Sequence, residues 1–323
     1  MSYQVRIVYY LEPTVHTFDL DWLHADPQLL PDTYVTMRLP RGLKERVELA
    51  SGSFARSRSG QWFVHHTNDK TDEGWDGDTQ RFRSLQAVPL ALLLCLNPNL
   101  RFGPILETLS PSPQCSFTVS WRDQLASHNS PFRKLPTYFF NYATPPSESQ
   151  IRTVAIDLMN TWSIRRISLI RDRYVRACMA DRRDTAVIEL AVGLEVLFAV
   201  ASAQKRKVIC SRAAILGGSN GVSREELYRD IGSLYLLRNH VIHEGALPKH
   251  LQLANGSSLS IISIIRNVRR HLSTLIRHVV HQPPDFHDPW PTTLANLDNA
   301  AHPLADEFAS YEMQYFGSRP RLQ

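Results

Sequence analysis

Residues 236–245 read LLRNHVIHEG and hold three side chains suited to phosphate and proton-transfer chemistry. Arg238 carries a permanent positive charge that can bind two phosphate oxygens, and His243 can exchange a proton near neutral pH. Asn239 precedes His243 by four residues, so on an ideal helix the two side chains stack on one face and can hydrogen-bond. Arg238, Asn239 and His243 are therefore the candidate reactive residues.

A second pair with the same spacing occurs in RNVRRH, residues 266–271. With 30 Arg and 13 His among 323 residues, random placement predicts about one such pair, so the spacing alone carries no information. RNVRRH lies in the middle of a predicted helix, where Arg269 and Arg270 are expected to form a solvated basic face. The first pair lies at a predicted helix end beside a chain reversal, where side chains can converge on a groove. This position favours the first pair, Arg238 with His243, as the reactive one.

Helix geometry constrains what the first pair can do. Arg238 and His243 are five residues apart, so they lie about 140° apart around a helix axis. One straight helix does not direct both side chains at the same atom. Either the last turn unwinds near Glu244 and Gly245, or a second copy of the helix completes the site across a dimer interface.

The pattern along the chain predicts an α+β protein. Residues 1–145 contain short β-branched and aromatic runs, among them YQVRIVYYLE, QWFVHH and TYFFNYA, and indicate a strand-rich mixed domain. TPPSES at 144–149 marks a boundary, and Ser147 with Gln150 forms a capping-box signal. Residues 146–282 then follow helical periodicity, and residues 283–323 form an acidic tail that we expect to be loosely docked, with a short helix near Leu304–Tyr315.

Five helices are predicted in the helical domain, which is a natural size for one bundle. The first runs from the capping box to Cys178, and the second begins near Asp184. The third covers about 207–216 and ends at GGSNG. The fourth opens with Ser223 and ends at Gly245, and the fifth covers about 258–281.

Charge is distributed unevenly. The chain carries a net charge of +5, made up of zero for residues 1–145, +9 for 146–282 and −4 for 283–323. The middle segment suits a polyanionic partner, although solvated faces of Arg-rich helices would give the same count. Four scattered cysteines without a CxxC pair, no long apolar run and no signal-peptide pattern predict a cytoplasmic protein without a membrane span.

No metal or other cofactor is expected. His65 and His66 are adjacent in a predicted strand and so point to opposite faces. The pairs His240–His243 and His278–His281 have no matching third ligand nearby in sequence. We expect His240 to be structural or to pair with Glu244, four residues further along the helix.

The order of these motifs resembles the HEPN superfamily and its Arg-x4–6-His signature. GLEVLF resembles the family's Glu-bearing helix and SRAAILG its short third helix, while LYRDIGSLYLLRNHVIHEG is similar to the ApeA-like branch. The resemblance covers about residues 147–281. It implies a HEPN-like bundle that acts as a metal-independent endoribonuclease, cleaving RNA by 2′-OH attack. It also implies a homodimer with a composite site, in an anti-phage defence or toxin–antitoxin system.

The resemblance also implies roles for individual residues. Arg238 would stabilise the phosphate, His243 would transfer protons, and Asn239 would orient His243 or contact the phosphate. Glu195 would hold Arg238, with Glu189 as the second choice. An antitoxin or a phage-derived trigger would be a further partner, and residues 1–145 would sense that trigger or select the substrate.

Two readings of the helical domain remain open beside this one. The domain could be a catalytically inactive HEPN-like dimerisation or nucleotide-binding scaffold. It could also be a helical interaction protein whose motif is accidental.

Overall fold

The chain is described from a computed structural model. The structure describes residues 147–180, 182–198, 204–218 and 221–317, together with six strands and some helical residues at 87–95 in the N-terminal half. The chain divides into two compact units. The first holds those strands and the helix that follows Ser147, and the described part of the second begins at Ser163. Each unit is considered by itself.

The first unit contains an antiparallel sheet. Its strands are β1 (Gln4–Pro13), β2 (Thr33–Thr36), β3 (Gln61–Thr67), β4 (Leu100–Phe102), β5 (Leu106–Glu107) and β6 (Thr118–Val119). They lie in the order β2-β3-β1-β5-β6, and β4 also pairs with β1. In β1 and β3, Val8 lies opposite Val64. The predicted strand TYFFNYA lies outside the described residues.

Helix α1 (Glu148–Asn160) begins as the sequence predicts. The backbone N–H of Ser147 donates to Gln150 Oε1 at 3.1 Å, and the N–H of Gln150 donates to Ser147 Oγ at 3.2 Å. This reciprocal pair satisfies backbone donors that the first helical turn would leave open. The predicted capping box is therefore confirmed.

The expectation of one helix from Ser147 to Cys178 is wrong. The chain turns after Asn160, and α2 (Arg165–Met179) begins as a separate helix. The hydroxyl of Thr161 donates to the carbonyl of Asp157 at 2.7 Å, and this side-chain bond accompanies the end of α1. Residues 148–280 therefore contain six described helices instead of five.

The second unit is a helical bundle with one small hairpin. Its elements are α2, α3 (Arg183–Phe198), α4 (Lys205–Gly218), α5 (Arg224–Glu244), β7 (His250–Gln252), β8 (Ser258–Ser260) and α6 (Ile261–Val280). The predicted helical bundle is thus confirmed. Within the described ranges, no helix has the length and apolar character needed to cross a membrane.

Helix α3 occupies the centre of the bundle. Its sequence AVIELAVGLEVLF is apolar on nearly all sides, and α2, α4, α5 and α6 all pack against it. Gly193 permits the approach of α6, since a Cβ there would lie 3.2 Å from Leu272 Cδ2. Any polar side chain on α3 therefore needs partners from neighbouring helices.

The acidic C-terminal segment is firmly docked, which corrects the expectation of a loose tail. It forms α7 (Pro284–His287), α8 (Trp290–Ala301), a 3-10 turn at His302–Leu304 and α9 (Ala305–Phe316). Buried Arg212 donates to both carboxylate oxygens of Asp298, at 2.7 and 2.6 Å, and to the carbonyl of Phe198 at 2.7 Å. Acidic residues of this segment therefore pair with basic residues of α4. The local sequence pattern does not reveal this attraction.

Replacing Gly232 on α5 with alanine tests the docking of α9. The new Cβ would lie 2.4 Å from the ring of Phe316, so Gly232→Ala should lower the free energy of unfolding by about 1–3 kcal/mol. In a Phe316→Ala background the clash disappears. There the same substitution should stabilise the protein by about 0.5–1 kcal/mol, because alanine favours a helix over glycine.

Urea denaturation of the parent, both single variants and the double variant gives the four free energies. Equal effects of Gly232→Ala in both backgrounds would contradict the observed contact.

Candidate functional site

Helix α5 carries the candidate residues at its C-terminal end. The helix starts as predicted, because the Oγ of Ser223 accepts a hydrogen bond from the Glu226 N–H at 3.4 Å. It stays helical as far as Glu244. Gly245 then adopts φ 70°, and its N–H donates to the Val241 carbonyl at 3.2 Å. The last turn does not unwind, so Arg238 and His243 lie on different sides of one continuous helix.

Arg238 lies beside the carboxylate expected to hold it. Its Nη2 is 3.9 Å from Glu195 Oε1, and its Nη1 donates to Asn239 Oδ1 at 3.5 Å. The Glu195 side chain is 19% exposed and the Arg238 side chain 34%. At this long ion-pair distance the guanidinium keeps N–H groups that are free to bind a ligand.

Glu195 has a second cationic partner that the sequence analysis missed. Lys205, the first residue of α4, donates from Nζ to Glu195 Oε2 at 3.0 Å. Three cations in succession, at 205–207, open α4 at the positive end of its dipole, where positive charge is unfavourable. That unusual placement was the one feature of the sequence that could have indicated a carboxylate partner for Lys205. Glu189, the second choice, pairs instead with Arg173 at 3.0 Å.

His243 and Asn239 are both exposed. Within the described part of the chain, no hydrogen bond joins them, and the Asn239 oxygen contacts Arg238 instead. The contact predicted between His240 and Glu244 is present, with His240 Nδ1 2.7 Å from Glu244 Oε1. The chain therefore presents an arginine paired with its carboxylate and, on another side of the helix, an exposed histidine.

Two residues of the second motif, Arg269 and His271, lie in the core of the bundle, so the expectation of a solvated basic face is wrong for Arg269. That side chain is fully buried, and its guanidinium lies 5.8 Å from the centroid of the Tyr174 ring. Burial raises the pKa of Tyr174 and of Cys178, and the charge of Arg269 partly opposes both shifts. Helix α6 turns this residue towards α2, a tertiary contact that the local sequence does not reveal.

His271 is also buried and forms part of an ion-pair network. Its Nε2 lies 3.0 Å from Asp230 Oδ2, and Arg229 Nε donates to Asp230 Oδ1 at 2.9 Å. Burial by itself would raise the pKa of Asp230. The hydrogen bonds and charges of His271 and Arg229 outweigh that effect and lower the pKa overall. The network fastens the N-terminal half of α5 to α6.

Three groups of this network could in principle bind a metal ion. Ligand atoms of Glu226, Asp230 and His271 lie within 4.8 Å of one another. Both carboxylates already have arginine partners, since Arg270 pairs with Glu226 and Arg229 pairs with Asp230. A divalent cation would have to displace these arginines, so the arrangement fits a closed ion-pair network better than a metal site.

No protein-family model matches this chain, and neither does a curated protein or a solved structure. What points to its function is therefore its own residues and their geometry.

Removing the Asp230 carboxylate should destabilise the protein. Asp230→Ala leaves His271 and Arg229 without their buried partner, which should lower the free energy of unfolding by about 3–5 kcal/mol at pH 7. Because the folded pKa lies below the ordinary 3.8, the carboxylate stabilises the fold above pH 3.8. That contribution is lost as the pH falls through the folded pKa. Below pH 3.8 the free energy of unfolding should therefore fall less steeply with pH in the variant than in the parent.

Urea denaturation between pH 7 and pH 3 measures both effects. Asp285→Ala, at an exposed carboxylate on α7, is the matched control and should change the free energy of unfolding by about 0.5 kcal/mol or less. Equal losses in the two variants would contradict the network.

Proposed function

We propose that the second unit is a metal-independent endoribonuclease that cleaves RNA by attack of a 2′-OH on the adjacent phosphate. The observation that carries this proposal is the half-exposed guanidinium of Arg238, anchored at Glu195 and followed after about one turn by exposed His243. A guanidinium offsets the charge that develops on the phosphate, and an imidazole transfers protons near neutral pH. These are the groups that the reaction needs from a protein.

The reaction balances without a metal. The imidazole of His243 takes the proton of the 2′-OH, and the freed oxygen attacks phosphorus. The bond from phosphorus to the 5′-oxygen breaks on the opposite side of phosphorus, where that oxygen takes a proton from water, and the imidazolium returns its own proton to solvent. The products are a 2′,3′-cyclic phosphate and a 5′-OH. Arg238 binds the nonbridging oxygens throughout.

The proposed site is completed by a second copy of the chain. Arg238 and His243 lie about 140° apart on a helix that remains wound to Glu244, so they do not converge within one protomer. If two copies of α5 meet at their C-terminal ends, Arg238 can act with the partner's His243. Ile242 lies between these residues with 50% of its surface exposed, and it would add apolar contact to such an interface.

The biological setting belongs to the same proposal. The resemblance to HEPN proteins favours an anti-phage defence or toxin–antitoxin system in the cytoplasm. An antitoxin or a phage-derived trigger would then control the activity. The second unit, with its docked acidic segment included, carries a net charge of +6 over residues 163–323, which supports RNA as the substrate.

One observation favours an inactive nucleotide-binding scaffold as the second candidate. Among the described residues, no hydrogen bond orients His243, while Asn239 and Arg238 contact each other. Such a pair can bind a phosphate without a histidine that acts on it. A cleavage assay separates the two functions.

Arg238→Ala and His243→Ala should each slow RNA cleavage by about 100-fold or more, because each removes a group that acts in the transition state. The purified chain is incubated with a mixed pool of tRNA and mRNA in EDTA, and the cut ends are mapped. The parent should cleave in EDTA and leave cyclic phosphate ends.

Two exposed residues of the same unit provide matched controls. Arg165→Ala on α2 and His250→Ala on β7 remove the same side-chain types elsewhere and should cleave at the parental rate. Parental cleavage by both site variants would refute the assignment. A parent that binds nucleotides without cutting RNA would favour the scaffold.

A further inference from the structure

We propose that Lys205 is a substrate-binding residue that binds the RNA backbone beside Arg238. The inference rests on the proposed function, since it takes RNA as the ligand of the site. Lys205 and Arg238 come from different helices, α4 and α5, and meet at a single carboxylate on a third, α3. The two residues form the phosphate-binding pair of the site.

The geometry places both cations at one point. Lys205 Nζ lies 3.0 Å from Glu195 Oε2, and Arg238 Nη2 lies 3.9 Å from Glu195 Oε1. The two oxygens belong to the same carboxylate, so the two positive groups flank one negative group. One positive charge is therefore left over, and a phosphate diester carries one negative charge.

Both cations keep donors for a ligand. An ammonium has three N–H donors and a guanidinium five, and Glu195 takes only part of each set. The side chain of Lys205 is 41% exposed, so a strand can reach it. In the described ranges, Glu195 is the one carboxylate that pairs with Lys205 or Arg238. Their charge is consequently available to an anion.

The next two cations of α4 are placed differently. Arg206 and Lys207 both pair with Glu312 of α9, and the guanidinium of Arg206 also lies 4.4 Å from the centroid of the Phe316 ring. Lys205 and Lys207 are about 200° apart around the helix axis. The structure therefore separates cations that secure the C-terminal helix from the one that faces Arg238.

The role assigned to Lys205 is electrostatic and independent of base sequence. Its ammonium binds a phosphate as a point charge, while Arg238 provides the planar, two-pronged contact. Binding of a phosphate releases counterions, with a slope of log K against log salt of about −0.7 per contact for a single strand. Lys205 accordingly contributes to holding the strand and takes no part in proton transfer.

The test measures RNA binding and avoids cleavage. The full chain is titrated with a fluorescent single-stranded RNA that is 2′-O-methylated at every position and so lacks the nucleophile. Fluorescence anisotropy gives Kd at several salt concentrations between 50 and 200 mM, a range over which such contacts weaken strongly. Lys205→Gln is compared with Lys207→Gln, which removes the same charge from the same turn, and with Lys205→Arg, which keeps the charge.

Lys205→Gln should raise Kd about three- to tenfold at low salt. It should also make the slope of log K against log salt shallower by about 0.7, the contribution of one phosphate contact. Lys207→Gln should bind with a nearly parental Kd and slope, and Lys205→Arg should restore most of the affinity. Thermal melts of all three confirm folding. Equal effects of the two glutamine variants, an unchanged Kd for Lys205→Gln, or no RNA binding by the parent would overturn the proposal.

The outcome is separate from that of the ribonuclease assay. If the parent cuts no RNA but Lys205→Gln alone weakens binding, the phosphate-binding pair stands and the proposed cleavage fails. If the parent cuts RNA but Lys205→Gln binds normally, cleavage stands and the role of Lys205 fails.

Discussion

A carboxylate that is largely shielded from water needs cations close by, and Glu195 takes one from each of two helices. It lies near the C-terminal end of α3, the helix that the bundle covers on nearly all sides. Desolvation of its charge is offset by Lys205 and Arg238. This one side chain thereby lies between the cation at the first turn of α4 and the cation near the end of α5.

The exposed end of α5 depends on the buried half of the same helix. From Leu227 to Leu237 nearly every side chain of α5 is buried, and Asp230 is bound there to His271 and Arg229. Beyond Leu237 the helix continues for two turns with half-exposed or exposed side chains. Arg238 and His243 are thus held by a rigid helix whose anchorage lies elsewhere, which suits a site that needs fixed geometry.

Local sequence signals predicted the capped helix ends, although not the break between α1 and α2, and tertiary contacts account for the buried and paired residues that were missed. Ser147 and Gly245 mark helix ends by rules that involve only their immediate neighbours, so both could be read directly. Arg269 has the same local pattern as a solvated arginine, and only the packing of α6 on α2 buries it. The pairing of Lys205 with Glu195 likewise joins two helices and has no sequence spacing of its own.

The central claim is that Arg238 of one protomer acts with the partner's His243. The most direct test mixes two inactive variants, Arg238→Ala and His243→Ala, after unfolding and refolding them together so that mixed dimers form. In a mixed dimer, one composite site keeps both its arginine and its histidine, so the account predicts that mixing restores part of the RNA cleavage lost in each variant alone. A mixture that forms dimers but cleaves no faster than either variant by itself would contradict the account.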